Sequence, residues 1–313
     1  GDGRLDIIAA NWGLNAPWRA TPERPFVAYY GEFTQAGRVE FIETEWDRTS
    51  AALTARRPLA TLGSAMPFLF EQFGSFKEFA GAPITRMLGS KKPVAKQVSV
   101  NTLASTVFLN RGGKFEAIEL AMEAQLAPAF SVNAADFDGD GNVDIFLSQN
   151  LMAMHPDYAR QDGGRGLLLK GDGGGRFKAV SGDASGLKIY GEQRAAAVCD
   201  FDGDGRPDLA VTQNGAETKL YRNALGKPGV SVKLVGPAGN PLGVGAQIWS
   251  ENGGTKTPVQ EVQAGSGYLA RDSAIKIIPV SIGGTVHVRW PGGGISSVAV
   301  SAATNEVTIV APR

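Results

Sequence analysis

Short runs of alternating hydrophobic and polar residues, separated by glycine-rich turns, fill the C-terminal part of the chain. From about residue 227 these runs read VSVKLVG, GAQIWSE, VQEVQAG, TVHVRWP and EVTIVAP. Alternation with a period of two is typical of strands that bury one face. The segment LGKPG (225–229) before them has the composition of a linker. We therefore predict a separate small β-domain over residues 227–313, a sandwich or a barrel.

A different period marks the stretch from about 50 to 100. Phenylalanines stand there at three-residue steps, at Phe70, Phe73, Phe76 and Phe79. This spacing favours one or two short amphipathic helices, which Gly74 and Pro83 would break. We predict a helical insertion that packs on the rest of the fold; a partner-docking element is the alternative.

An acidic loop occurs twice, as DFDGDGNVDIFLSQN (136–150) and DFDGDGRPDLAVTQN (200–214). Each copy has carboxylates at loop positions 1, 3, 5 and 9, namely Asp136, Asp138, Asp140 and Asp144, then Asp200, Asp202, Asp204 and Asp208. Glycines at positions 4 and 6 let the backbone curl, so that alternate side chains converge on one point. Position 7, Asn142 or Arg206, would contribute its backbone carbonyl.

This arrangement predicts a calcium site in each loop. Many anionic, flexibly held oxygen ligands suit Ca²⁺ better than Mg²⁺. An EF-hand would need Glu at position 12 and a helix after it, but position 12 is Leu147 or Val211 and β-rich residues follow. A metal-free Asp-Gly turn is the alternative, although four close carboxylates without a cation would repel one another.

A third copy of the loop is degenerate. In YGEFTQAGRVEFI (30–42), Glu32 and Glu40 take positions 1 and 9, whereas Thr34 and Ala36 replace the middle acids. We expect this loop to keep its turn and to bind calcium weakly or not at all.

The opening sequence GDGRLDIIAANWG is a fourth copy. Asp2 takes position 5 and Asp6 position 9, and positions 1 and 3 would precede Gly1. Both aspartates are candidate ligands that would hold calcium poorly alone. We expect earlier blades and an export signal in the full-length chain.

The surroundings of the loops repeat as well. TVFLNRGGKFEAI (106–118) precedes the first loop and GLLLKGDGGGRFKAV (166–180) the second, and KLYRN (219–223) begins a further copy. Each unit thus has about four short strands, close to a propeller blade. Glycine supplies 41 of the 313 residues, in turn-like clusters that favour an all-β protein.

The acidic loops and the C-terminal sequence together resemble a known family. GVGAQIWSENGGTKTPVQEVQAGSGYLARDSAIKI (243–277) and VHVRWPGGG (286–294) are similar to the Gly-Ala, Gly-Ser-Gly-Tyr and Arg-Trp-Pro signatures of ASPIC/UnbV domains. The chain resembles bacterial proteins with integrin-like FG-GAP (VCBS) repeats before such a domain, related to cartilage acidic protein. IKIIPVSIGG (275–284) departs from the usual His-Phe-Gly-Leu-Gly turn of these domains.

The resemblance implies a fold, a cofactor and a location. The fold is all-β: a partial β-propeller of integrin α-like blades over residues 1–226, with the helical insertion at about 50–100, then the ASPIC/UnbV domain over 227–313. The cofactor is Ca²⁺. The protein would be exported, secreted, periplasmic or on the cell surface, and used for adhesion or recognition of a protein or carbohydrate, without established catalytic chemistry.

Charge and composition restrict the partners. Lys plus Arg and Asp plus Glu both number 31, so no net charge argues for nucleic acid or an anionic membrane. No run approaches the roughly 18 apolar residues of a membrane span. The lone Cys199 excludes an intramolecular disulfide.

Candidate catalytic residues are few, and each has a simpler structural interpretation. They are His155, His287, Cys199, Ser266 and the pair Glu192 and Arg194. His155 lies in a long loop, where recognition residues often occur, and His287 alternates within a predicted strand. Ser266 lacks the flanking glycines of a nucleophile elbow. We predict a core residue for Cys199 and an ion pair for Glu192 and Arg194.

Three functions remain open from the sequence. We expect a calcium-rigidified extracytoplasmic scaffold for binding or adhesion, without catalysis. A propeller enzyme acting on polysaccharide or another polymer would need paired acids outside the calcium loops. A structural subunit of a cell-envelope complex is the third hypothesis.

Overall fold

The computed structural model describes residues 3–156, 158–302 and 304–312. The chain forms two compact units: one contains Gly1–Ala16 and Ala104–Arg313, and the other contains Pro17–Leu103. Strands make up most of the regular structure, which confirms the predicted all-β class. In the part of the chain that is described, no helix is long and apolar enough to cross a bilayer.

The elements follow one another in chain order. The first strands are β1 (Ile7–Ala9), β2 (Phe26–Gly31), β3 (Glu40–Asp47), β4 (Ala52–Ala55) and β5 (Lys96–Val100). Between β4 and β5 lie α1 (Leu59–Ala65), α2 (Phe68–Gln72), α3 (Phe76–Ala80), α4 (Ile84–Leu88) and a 3₁₀ helix at Gly89–Val94. The next elements are β6 (Thr106–Asn110), β7 (Phe115–Glu119), a 3₁₀ helix at Met122–Gln125, β8 (Ala129–Ala135), β9 (Asp144–Gln149), β10 (Leu167–Gly171), β11 (Phe177–Val180), α5 (Gly182–Ser185), β12 (Glu192–Cys199), β13 (Asp208–Asn214) and β14 (Ala216–Tyr221). The last strands are β15 (Val230–Val235), β16 (Gln247–Asn252), β17 (Thr255–Lys256), β18 (Gln260–Glu261), β19 (Lys276–Ile278), β20 (Thr285–Arg289), β21 (Ile295–Ala299) and β22 (Glu306–Val310).

Three sheets of the first unit have the meander order of propeller blades. Their strand orders are β1-β6-β7, β11-β10-β9-β8 and β12-β13-β14. We refer to them as the first, second and third blade sheets. All their strand pairs are antiparallel. We call β8 and β12, the strands before the acidic loops, the inner strands; they contact each other. Counted from the inner strand, β10 and β14 are the third strands of their sheets.

The second blade sheet is buried on both faces, which explains its continuous apolar sequence. Successive side chains of a strand point to opposite faces. Ile145 and Leu147 of β9 therefore join a core with Val107 and Leu109 of the first blade sheet. Phe146 joins a separate core with residues of the third blade sheet. An uninterrupted run such as IFL thus indicates a strand between two packed layers.

The C-terminal domain contains two sheets around one core. Strands β19-β15-β22 form one sheet, in which β15 and β22 are parallel, and β17-β16-β20-β21 form the other, with β18 paired to β16. The alternating residues predicted to be buried share this core, among them Val232, Ile248, Val288 and Ile309. The arrangement is a small sandwich.

The other unit combines a sheet with short helices. Strands β4-β3-β2-β5 form the sheet, and the degenerate loop connects β2 to β3. The stretch 66–89 contains three helices rather than one or two, because Pro67, Ser75 and Pro83 each precede a new helix start. Phe73 and Phe79 are buried and pack edge to face, whereas Phe70 and Phe76 are exposed.

Candidate metal centre

The position-1 aspartate organises each acidic loop. In the first loop Asp136 accepts hydrogen bonds from the N–H groups of Gly139 at 2.8 Å, Asp140 at 3.1 Å and Gly141 at 2.8 Å. The second loop repeats this pattern around Asp200 with Gly203, Asp204 and Gly205. The glycines at positions 4 and 6 have positive φ in both loops, a conformation that other residues adopt only with strain.

The position-9 aspartate connects three segments of the second and of the third blade sheet. Asp208 accepts the N–H of Phe201 at 3.0 Å and the N–H of Asn223, just after β14, at 2.7 Å. Asp144 likewise accepts the N–H groups of Phe137 at 3.0 Å and Gly171 at 2.9 Å. Each of these carboxylates thus ties the start of the loop to its own strand and to the third strand of the sheet.

Positions 1, 3 and 9 form a cluster of carboxylates in both loops. Oxygens of Asp136, Asp138 and Asp144 lie within 4.8 Å of one another, and so do those of Asp200, Asp202 and Asp208. This all-oxygen, anionic donor set fits a hard cation such as Ca²⁺. The structure does not bring Asp140 or Asp204 into the clusters: Asp140 accepts the Asn142 N–H, and Asp204 accepts the Arg206 N–H.

In the second and third blade sheets, a basic side chain in or directly after the third strand contacts the acidic loop. Lys170 contacts Asp138 and lies 3.0 Å from Asp140 Oδ2, and Arg222 contacts Asp202 and lies 3.2 Å from Asp204 Oδ2. Their positions are equivalent, because Leu169 pairs with Ile145 and Tyr221 with Leu209, directly after position 9 in both cases. These two cations partly offset the loop charge and would compete with a metal ion for the position-3 carboxylates.

Lys170→Met is expected to raise calcium affinity at the first loop a few-fold, because a competing cation is removed from a partly exposed ion pair. Arg222→Met should do the same at the second loop. Isothermal titration calorimetry measures both. The matched control is Lys178→Met, which removes the charge opposite Lys170 on β11. Unchanged or weaker calcium binding in the Lys170 and Arg222 variants would contradict competition.

Burial raises the pKa of the Asp144 carboxyl to about 6, and the neighbouring charges of Asp138 and Asp136 add to the shift, while its two N–H bonds oppose it. Burial also raises the pKa values of Asp136 and Asp208. Without metal, folded Asp144 therefore holds its proton more tightly than unfolded Asp144 does. The stability that this group contributes is fully present below about pH 4 and is lost as the pH rises through about 6.

Urea unfolding in a chelating buffer tests this pH dependence. From about pH 4 to about pH 6, the free energy of unfolding of the native chain should fall relative to that of Asp144→Asn, which lacks the titrating group. Parallel pH profiles for the two proteins would show that Asp144 does not titrate in this range.

The degenerate loop keeps one part of the pattern and loses another. Glu40, at position 9, accepts the N–H of Phe33 at 2.9 Å, as in the intact loops. Its other oxygen accepts the hydroxyl of Thr34, which stands where a metal ligand would be. In the intact loops the carboxylate at position 9 belongs to a cluster of three acidic side chains. In the degenerate loop an oxygen of Glu40 is hydrogen-bonded to the Thr34 hydroxyl instead.

The opening loop is described only in part. Asp6 accepts the N–H of Asn110 at 2.8 Å, the bond that Asn223 makes with Asp208 in the third blade sheet. Asp2 lies outside the described residues.

Comparison with known families assigns two segments of the chain. Residues 193–221, which include the second acidic loop, match the FG-GAP repeat, and residues 236–313 match ASPIC and UnbV. The chain thus contains an FG-GAP repeat and a C-terminal ASPIC/UnbV domain. The FG-GAP match is consistent with a propeller-like fold for the blade sheets. No curated protein sequence matches the chain significantly.

The surroundings of the candidate catalytic residues are structural in character. Burial raises the pKa of the half-buried Cys199 thiol, and the charges of Asp208 and Asp200 add to that rise. His287 stacks on Trp249 and shares a hydrogen bond of 2.8 Å with Ser297. Ser266 lies in a turn in which its N–H donates to the carbonyl of Ala270.

Glu192 fixes the base of the long loop that follows β9. It pairs with Arg194 and accepts the N–H groups of Met152 at 2.7 Å and Ala153 at 2.8 Å. A bridge between Leu151 and Gln161 closes the same loop. The predicted ion pair therefore also anchors the loop that carries His155.

Asp272, which the sequence analysis did not single out, connects the ASPIC/UnbV domain to two blade sheets. It accepts the side-chain N–H of Asn133 at 2.8 Å and the N–H of Val198 at 2.9 Å, on the inner strands β8 and β12. Next to it, the signature residue Gly267 bridges Ser131. At φ +131°, a Cβ on Gly267 would lie 2.7 Å from the Ser131 hydroxyl, which explains why glycine is needed here.

The predicted linker also contacts the two acidic loops. The N–H of Lys227 donates to the Asp138 carbonyl at 3.0 Å, and the N–H of Gly229 donates to the Gly205 carbonyl at 2.8 Å. Residues 225–229 therefore connect both acidic loops to the start of the ASPIC/UnbV domain and do not form a free hinge.

Proposed function

We propose that this chain is a calcium-binding scaffold for recognition or adhesion outside the cytoplasm and that it has no catalytic activity. The observation that carries the proposal is the duplicated loop, in which the same three positions bring their carboxylates within 4.8 Å of one another in both copies. FG-GAP repeats are typical of extracellular proteins, which supports the location.

Calcium would be held by Asp136, Asp138 and Asp144 in the first loop and by Asp200, Asp202 and Asp208 in the second. When bound, the ion supplies the positive charge that offsets repulsion within each cluster. The aspartates at position 1 shape the turns through their bonds to backbone N–H groups. The aspartates at position 9 connect each loop to the third strand of its sheet. Because residues 225–229 bond to both loops, an ordered loop also stiffens the connection to the C-terminal domain.

The long loop 151–164 supports a recognition role. Glu192 fixes its base, and several residues near its tip are exposed. Binding residues are often carried by loops on a rigid scaffold. The raised pKa of the Cys199 thiol and the contacts of His287 with Trp249 and Ser297 support the absence of nucleophilic catalysis.

Thermal unfolding with and without calcium tests the proposal. A site with Kd of about 0.1 mM should stabilise the protein by about 2.7 kcal/mol at about 10 mM calcium. For a unit of this size, that corresponds to a rise in melting temperature of roughly 4–6 °C per site. Magnesium at the same concentration is the control and should have a smaller effect. An unchanged melting temperature in saturating calcium would reject the calcium-binding scaffold.

A further inference from the structure

Asn223, which follows β14, contacts both acidic loops. Its backbone N–H donates to the carboxylate of Asp208 at 2.7 Å, at position 9 of the second loop. Its side-chain amide donates to the carbonyl of Pro207 at 3.2 Å in the same loop, and to the carbonyl of Phe137 at 2.7 Å in the first loop. Phe137 lies between positions 1 and 3, so the amide bonds to backbone beside the proposed ligands of both loops.

A turn of the following residues fixes the orientation of the Asn223 amide. Its oxygen accepts the N–H groups of Leu225 at 3.3 Å and Gly226 at 3.0 Å, in a kind of turn that asparagine favours. The amide nitrogen is then free to donate to the carbonyls of Phe137 and Pro207. A rotated amide would place its oxygen against these two carbonyls. Only one orientation of the side chain therefore satisfies all its partners.

Residues 223–229, which we call the connector, hold both loops through their backbone as well. The N–H of Lys227 donates to the Asp138 carbonyl at 3.0 Å, and the N–H of Gly229 donates at 2.8 Å to the carbonyl at position 6 of the second loop. A Cβ on Gly139 would lie 2.6 Å from the carbonyl oxygen of Lys227, so the first loop packs directly against the connector. A change in the backbone of either loop therefore displaces a segment that the other loop also contacts.

We propose that Asn223 and the connector couple the two calcium sites, so that calcium bound in either loop raises the calcium affinity of the other. The inference rests on the calcium-binding function proposed above and adds a property that neither loop has alone. Asn223 acts as a positioning residue, because it bonds to the backbone next to the ligands.

The physical basis is a shared cost of ordering. Repulsion among three close carboxylates opposes the compact form of each loop in the absence of a cation. A loop that holds a cation keeps its carbonyls in place for Asn223 and for the connector, and fixing such a segment lowers its conformational entropy. When the second loop binds, the connector is already ordered, so less entropy is lost. The effect is reciprocal, because the coupling free energy between two sites is the same in both directions.

Isothermal titration calorimetry of three proteins measures the coupling. Asp138→Ala gives the affinity of the second loop alone, Asp202→Ala gives that of the first loop alone, and the native chain gives the product of both affinities. We expect the native product to exceed the product of the two separate affinities about fivefold. A ratio of one with two ions bound would overturn the coupling and leave the calcium-binding scaffold intact, whereas absence of binding would overturn both.

Asn223→Ala, introduced into the same three proteins, tests the role of the amide. It removes the bonds to the carbonyls of Phe137 and Pro207 but keeps the backbone N–H that Asp208 accepts. Because asparagine and alanine are both uncharged, repulsion between two bound ions is the same in both series, and the change in the ratio reports the amide. We expect the ratio to fall about threefold. An unchanged ratio would overturn the assignment of the coupling to Asn223.

Asn110→Ala is the matched control. Asn110 has the equivalent position in the first blade sheet, where its N–H donates to Asp6 and its amide donates to the Leu5 carbonyl at 3.3 Å. Both carboxylate clusters belong to the other two blade sheets, so the ratio should keep its native value. An equal fall in the ratio for Asn110→Ala and Asn223→Ala would reveal a general effect of lost amides and overturn the role of Asn223.

Hydrogen exchange tests the coupling without replacing Asn223. In Asp202→Ala only the first loop retains its cluster, yet calcium should slow exchange of the backbone N–H groups of Asn223 and Gly229, which donate to the second loop. In Asp138→Ala calcium should likewise slow exchange of the Lys227 N–H. The double variant is the control and should show no effect of calcium. If calcium leaves the exchange of these N–H groups unchanged in both single variants, the proposal is wrong.

Discussion

Asp208→Ala is expected to lower the free energy of unfolding by about 3 kcal/mol in a chelating buffer, and by more in calcium, because Asp208 is also a proposed calcium ligand. Asp208 is 1% exposed and accepts the N–H groups of Phe201 and Asn223. The alanine variant leaves both donors without their acceptor and separates the loop from the third strand. Urea unfolding followed by circular dichroism measures the loss.

Asp6→Ala is the matched control for this variant. Asp6 occupies the same loop position, but it is exposed and accepts the N–H of Asn110 from across the sheet. Water can replace its carboxylate, so we expect a loss below about 1 kcal/mol. Equal losses for Asp6→Ala and Asp208→Ala would show that buried backbone donors do not determine the effect.

Asp138→Ala and Asp202→Ala should each remove one calcium ion from the binding stoichiometry, and the double variant should remove both. Each change takes a carboxylate out of a three-member cluster. The position-3 side chains are more exposed than those of position 9, so stability in a chelating buffer should change little. Isothermal titration calorimetry gives the stoichiometry, and thermal unfolding in calcium gives the lost stabilisation.

Asp172→Ala controls for a general loss of acidic turns. Asp172 accepts the N–H groups of Gly174 and Arg176 in the glycine-rich turn between β10 and β11, but belongs to neither cluster. Its replacement should leave two calcium ions bound. Two ions bound to Asp138→Ala or to Asp202→Ala would refute the assignment of that loop.

The sequence predicts the loops well because their information is local. The spacing of the aspartates and glycines predicts that positions 1, 3, 5 and 9 converge, and the structure brings together positions 1, 3 and 9 but not position 5. The β-rich residues after position 9 indicate strands on both sides. The positions of Lys170 and Arg222 cannot be obtained in this way. Their approach to the loops depends on the register of the third strand, which the loop sequence does not determine.

Long-range contacts account for the other residues that the sequence analysis missed. In the sequence, Asp272 cannot be distinguished from other polar turn residues. Its role becomes visible only in the structure, where it accepts hydrogen bonds from both β8 and β12. The segment 225–229 has the glycine and proline content of a linker, yet its backbone donates to both acidic loops. The helix number in 66–89 differs for a local reason: with breaks at Gly74 and Pro83, the stretch forms three short helices, which start after Pro67, Ser75 and Pro83, instead of one or two.

The hydrogen bond between Asn133 and Asp272 affects when strand β8 can complete its contacts during translation. The two residues are 139 positions apart in the chain. At ribosomal rates of about 5–20 residues per second, the inner strand β8 emerges roughly 7–28 s before its partner from the C-terminal domain. During that interval the strand lacks one of its final contacts. We therefore expect the inner strands to acquire full protection only after Asp272 has left the ribosome, and a nascent chain stalled before Asp272 to be the form most open to proteases and chaperones.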